Sequence, residues 1–77
     1  MIQALIIDDN EKARIALKSD IDDYCPQVEV IGAAGGVTDG YIEILKKRPD
    51  LIFLDIKMGD GTGFDLLEKF QEEEGFS

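Results

Sequence analysis

Apolar residues fall in blocks along this chain, and the spacing within the blocks alternates between two periods. "IQALII", Ile2 to Ile7, is an apolar run of strand length that stops at Asp8 and Asp9. Asn10 can then cap a helix, after which Ala13, Leu17, Ile21 and Tyr24 recur at helical spacing. Pro26 forces Cys25 out of the helical region and ends that helix. "VEVIGAA", Val28 to Ala34, is rich in β-branched residues and reads as a second strand, broken by Gly35-Gly36. Val37, Tyr41, Ile44 and Leu45 mark the apolar face of a second helix. Lys46, Lys47 and Arg48 suit the negative end of its dipole, and Pro49 lies just beyond. "LIFL", Leu51 to Leu54, is apolar at every position and predicts a strand covered on both faces. Thr62-Gly63-Phe64-Asp65 has the form of a capping box, with Asp for Glu, and opens a third helix with Phe64, Leu67 and Phe70 on one face. Glu72 to Ser77 reads as the end of that helix and the start of a loop. Strand and helix alternate three times, which predicts an α/β protein with a parallel sheet.

The polar residues at the strand ends carry the candidate chemistry. In open α/β sheets, ligands bind beyond the carboxyl ends of the strands, where strand order reverses. Asp8 and Asp9 end the first strand and Asp55 ends the third. A sheet of order 2-1-3 brings these three carboxylates together, whereas order 1-2-3 keeps Asp55 two strands away. The order 2-1-3 is inferred here from the aspartates, since periodicity does not distinguish the two. Right-handed crossovers then put the first helix on one face and the other two helices on the opposite face. Three carboxylates with no base nearby repel, and a hard divalent cation such as Mg²⁺ resolves the repulsion. Each feature also has a plainer explanation. Asp8 and Asp9 fit the acid-rich first turn of a helix, Asp55 fits a solvated strand end, and "GDGTG" fits a turn. It is the matching placement of both acidic sites that favours a cation.

Composition narrows the classes of function. The 77 residues allow at most one domain, and 44% hydrophobic with 32% charged residues argues for a folded globular chain. The net charge is −9, from 17 acidic and 8 basic residues, which disfavours nucleic acid as a direct partner and favours a cation. The absence of His removes imidazole catalysis and most zinc sites, and leaves the single Cys25 without an activating base. No apolar run reaches membrane-spanning length, and "MIQALIIDD" is too short and too acidic for a signal peptide, so a reduced, cytoplasmic chain is expected.

"LIIDDN", "PDLIFLDIKM" and "GTGFDLLE", in that order and at this spacing, resemble the receiver domain of two-component response regulators. "YCP", "VEVIGAA" and "LIFLDI" resemble receivers that precede LytTR-type DNA-binding output domains. The resemblance implies a flavodoxin-like doubly wound parallel sheet, here truncated to three strands in order 2-1-3 with three helices. It implies that Asp55 is the phosphoacceptor, taking a phosphoryl group from a sensor histidine kinase or a small phosphodonor. It also implies Mg²⁺ ligation by Asp9 directly, Asp8 largely through water, Asp55, and the backbone carbonyl of Lys57. No role is implied for the Lys57 side chain.

The sequence departs from the family's pattern in two places. Members often carry Pro four residues after the acceptor, where this chain has Gly59, which predicts more freedom in the loop Met58 to Gly63. A complete receiver has five strand–helix units and this sequence carries three, so residues 1–77 read as an incomplete receiver domain without strands four and five. The Ser or Thr of the fourth strand and the Lys of the fifth are then missing, and weak Mg²⁺ binding with little durable phosphorylation is expected. The third strand, left as an edge, predicts dimerisation through "LIFL". Two other functions remain open. A haloacid-dehalogenase-type phosphatase would also end a strand in a nucleophilic Asp, but it usually has a second Asp two residues on, where this chain has Lys57. A receiver-like scaffold that no longer signals is the other.

Overall fold

The computed structural model describes residues 1–74, with side chains described through Gln71. The elements run β1 (Ile2–Ile7), α1 (Glu11–Tyr24), β2 (Val28–Ala34), α2 (Val37–Lys47), β3 (Leu51–Leu54), β4 (Lys57–Met58), β5 (Gly61–Thr62) and α3 (Gly63–Glu74). The segment read as a helix end and loop start is helical through Glu74, and its last three residues lie outside the described ones. Strands β1, β2 and β3 form a parallel sheet in the order β2-β1-β3, as the placement of the aspartates required. An additional antiparallel ladder pairs β4 with β5.

The central strand is buried because its residues are apolar on both faces: Ala4, Leu5, Ile6 and Ile7 are each at most 1% exposed. Ile7 belongs to the core formed with Ala34, Val37, Met58, Leu66 and Phe70, on the side of α2 and α3. Ala4 and Ile6 alternate with it and face the side taken by α1, whose buried residue is Ile21. The pairing of β1 with β2 shifts between Ala4 and Leu5, which leaves Ile31 unpaired, and its carbonyl accepts a hydrogen bond from Lys47 Nζ at 3.0 Å. Helix α1 is capped by Asn10, whose side chain accepts from the Ala13 amide at 3.1 Å. The capping box of α3 is closed in both directions, Thr62 N to Asp65 Oδ2 at 2.8 Å and Asp65 N to Thr62 Oγ1 at 3.1 Å.

Four sequence expectations are corrected. Leu66 and Phe70 form the core face of α3, whereas Phe64 and Leu67 turn to a shallow apolar depression of about 140 Å³ with Leu54, Asp55 and Ile56. Tyr24, expected on the buried side of α1, is exposed because it is the last residue before the C-cap Cys25. Strand β3 is half-buried along Ile52, Phe53 and Leu54, since only its β1 side is paired among the described residues. Finally, the segment Met58 to Gly63 is structured. Met58 and Gly61 pair in the β4–β5 ladder, Met58 is buried in the core, and Gly63 N donates to Ile56 O at 2.9 Å.

The tip of that ladder also serves α2. Gly36, at the N-cap of α2, has no side chain to satisfy the first amides of the helix. The Asp60 carboxylate does so from 23 residues away, accepting from Val37 N at 2.8 Å and, through its other oxygen, from Thr38 N at 3.1 Å. These two amides hold the Asp60 carboxyl below its ordinary value of 3.8.

Two consequences can be measured. Leu66→Ala removes a fully buried side chain and should cost about 3 kcal/mol in urea unfolding, whereas Leu67→Ala should cost less than about 1 kcal/mol. Equal losses would show that the face has been assigned wrongly. Because the folded pKa of Asp60 lies below the unfolded one, its contribution is present above the ordinary value and lost as pH falls through the folded value. Asp60→Asn should therefore unfold at lower temperature than the parent at neutral pH, with the gap closing in acid. A gap that persists unchanged at pH values below the carboxylate range would contradict this origin.

Candidate metal centre at the carboxyl ends of β1 and β3

The parallel ladders extend one residue beyond each strand. Asp8 N donates to Ala34 O at 3.0 Å, and Asp55 N donates to Ile7 O at 2.9 Å. Ile7 pairs with Leu54, so Asp8 and Asp55 leave the sheet side by side. Asp8, Asp9 and Asp55 each offer a carboxylate oxygen, and these atoms lie within 4.8 Å of one another. Asp8 and Asp55 are half-buried and Asp9 is exposed.

Local hydrogen bonds set the acidic pair. Asp8 Oδ1 accepts from Asn10 N at 2.9 Å, so the turn leading into the cap of α1 also orients the first carboxylate. The Arg14 guanidinium, in the first turns of α1, donates to the Asp8 carbonyl. The sequence reading placed no base near the acids, and Arg14 corrects it. The available signal was its position four residues after the N-cap, which brings a long side chain back over the start of the helix. On the other side, Gly63 fits tightly against the end of β3, where an added Cβ would lie 2.7 Å from the Asp55 carbonyl oxygen. Lys57 opens β4 two residues past Asp55, paired with Thr62, and its side chain is exposed.

Three like charges this close repel by about 1 kcal/mol per pair even at the dielectric constant of water, and by more where water is partly excluded. The donors are all oxygen, with no His or Cys among them, so the set suits a hard cation of the Mg²⁺, Mn²⁺ or Ca²⁺ type rather than zinc or copper. Sequence reasoning named all three acids. It did not find Asp60, because nothing in the local sequence tells that a turn residue after the third strand caps the second helix.

No helix among the described residues is long and apolar enough to cross a membrane. The sequence matches the response regulator receiver domain over residues 4–76. It is 39% identical over 66 residues to the sensory transduction protein LytT of Bacillus anthracis, covering 86% of this chain and 26% of that protein. It is 33% identical over 66 residues to the DNA-binding transcriptional activator DevR/DosR of Mycobacterium tuberculosis, covering 86% of this chain and 30% of that protein. The chain thus spans between a quarter and a third of the length of these curated relatives. Among solved structures, the response regulator domain of Thermotoga maritima CheB superimposes with a TM-score of 0.85 at 29% identity, covering 99% of this chain and 56% of that one. Sequence, sheet order and the position of the acidic cluster agree, and the chain belongs to the response regulator receiver domain family.

Proposed function

We propose that residues 1–77 carry the first three strand–helix units of a receiver that accepts a phosphoryl group on Asp55. The observation that supports this most strongly is the meeting of Asp8, Asp9 and Asp55 at the carboxyl ends of adjacent parallel strands. Asp8, Asp9, Asp55 and the backbone carbonyl of Lys57 would hold Mg²⁺, which when bound offsets the negative charge of an incoming phosphoryl group. A carboxylate oxygen of Asp55 attacks phosphorus, and the phosphorus–nitrogen bond of a phosphohistidine on a sensor kinase breaks. The bonding pair leaves with the imidazole nitrogen, which is then protonated, and Asp55 becomes an acyl phosphate. The role of β3 is to fix that carboxylate, since its backbone is tied to Ile7 and its side chains are anchored beside the core.

The reading places the chain in the cytoplasm, upstream of an output domain that regulates transcription, of the LytTR DNA-binding type. The likeness to LytT and to an activator named as DNA-binding supports this. A phosphatase of the haloacid-dehalogenase type is disfavoured, since the position where that family usually carries its acid/base Asp holds Lys57. A scaffold without signalling has no need of three converging carboxylates.

Brief exposure to acetyl phosphate with Mg²⁺, an acid quench and intact mass should show a small, short-lived fraction carrying one phosphoryl group, absent from Asp55→Asn and absent without the metal. Failure to label the parent chain at any quench time, or equal labelling of the variant, would contradict the assignment. The outer edge of β3, with Leu51 39% exposed, offers backbone groups to a second copy. Light scattering should therefore report dimers that form with rising concentration, and a monomer at the highest concentrations would oppose this.

A further inference from the structure

The stretch between Asp55 and α3 is short, yet it is held at three levels. At its base, Gly63 N donates to Ile56 O at 2.9 Å. In the middle, Met58 is buried against Ile7, Val37 and Leu66 in the core. At its tip, Asp60 accepts from Val37 N and Thr38 N. The approach is close: a Cβ added at Gly36 would lie 2.7 Å from Asp60 Oδ1, so the carboxylate would have to shift. Lys57 lies between the base and the tip. It pairs with Thr62, and Met58 and Gly61 close the ladder immediately beyond it, toward the tip that Asp60 holds.

We propose that Asp60 is a positioning residue for the phosphoacceptor site: by clamping the β4–β5 tip to the N-terminus of α2, it steadies the short stretch after Asp55 that carries the backbone carbonyl of Lys57, the further ligand of the metal reading. This rests on the metal and phosphoacceptor reading above and adds a residue that touches neither metal nor phosphoryl group. The clamp does for this chain what a stiff turn would do. Met58 to Gly61 form a tight turn with Gly59 at its second position. Gly61 is the only glycine with positive φ among the described residues, so Gly59 has a negative φ, and an added Cβ at Gly59 meets no atom within 4 Å. Met58, the residue before it, is extended. An extended preceding residue, a φ that is not positive and open space at the Cβ position are each compatible with Pro at the second position of a turn. A Pro at position 59 should thus supply by its ring the order that Asp60 supplies by hydrogen bonds.

The test uses the full 77-residue chain with Mg²⁺ as the probe, followed by amide chemical shifts, and metal-free amide exchange as a second readout. Temperatures are chosen so that each variant is folded by circular dichroism. Asp60→Ala should weaken Mg²⁺ binding roughly tenfold, as loss of an outer supporting group does at metal sites. Without metal it should speed exchange of the Val37 and Thr38 amides. Adding Gly59→Pro to Asp60→Ala should restore most of the Mg²⁺ affinity while the two α2 amides stay fast. Lys47→Met, which loosens the opposite end of α2 by removing the bond to Ile31 O and the pair with Glu43, should leave Mg²⁺ affinity within about twofold of the parent.

Unchanged affinity in Asp60→Ala would overturn the proposal. So would failure of Gly59→Pro to restore it, or an equal loss in Lys47→Met, since either result would make Asp60 only a helix cap. If the parent chain shows no Mg²⁺ binding that depends on Asp55, the metal reading fails and the positioning role fails with it.

Discussion

The register between β1 and β3 is the constraint on which the site depends. Ile7 pairs with Leu54, and the amide of Asp55 donates to the Ile7 carbonyl. A slip of one residue would turn every side chain of β3 to the opposite face and carry Asp55 away from Asp8 and Asp9. The strands beneath the site are held by apolar burial: Leu5, Ile6 and Ile7 are almost wholly enclosed. The carboxylates contribute nothing to this, because their mutual repulsion opposes the arrangement. The charge cluster is maintained by the hydrophobic strands beneath it, and a divalent ion is the natural partner of a cluster held in this way.

The second layer of organisation is the route by which the chain leaves the site. From Asp55 it could have passed directly into α3. It instead makes a two-stranded ladder whose middle is anchored in the core by Met58 and whose tip caps α2 through Asp60. The first amides of α2, left without a cap by Gly36, gain their acceptor, and the turn gains an anchor. Helix α3 starts on its own capping box immediately afterwards, with Gly63 pressed against the Asp55 carbonyl. Strand β3, the β4–β5 turn and the N-termini of α2 and α3 thus meet in one small region beside the acidic cluster.

The strand–helix alternation was legible because apolar runs and helical spacing differ sharply in this chain, and because Asn10, Pro26 and the Thr62–Asp65 box punctuate it. The sheet order was legible only through chemistry, since acids at two strand ends make sense when those strands are neighbours. Other features depend on distant contacts that no local pattern encodes. Leu66 rather than Leu67 faces the core, in a cluster with Ile7, Ala34 and Val37 from earlier elements. The segment Met58 to Gly63 is ordered despite Gly59 because its partner, the start of α2, lies more than twenty residues earlier. Arg14 reaches the Asp8 carbonyl by folding back over the first turn of its helix, which spacing alone does not distinguish from a solvated arginine.

Crystals of the chain soaked in Mn²⁺, a hard cation that accepts the same oxygen donors as Mg²⁺ and scatters anomalously, address the central claim directly. One strong anomalous peak is expected within bonding distance of carboxylate oxygens from Asp8, Asp9 and Asp55. A peak located instead among other acids, such as Asp20, Asp22 and Asp23 on α1, or no peak beside Asp55, would contradict a metal centre at the carboxyl ends of β1 and β3.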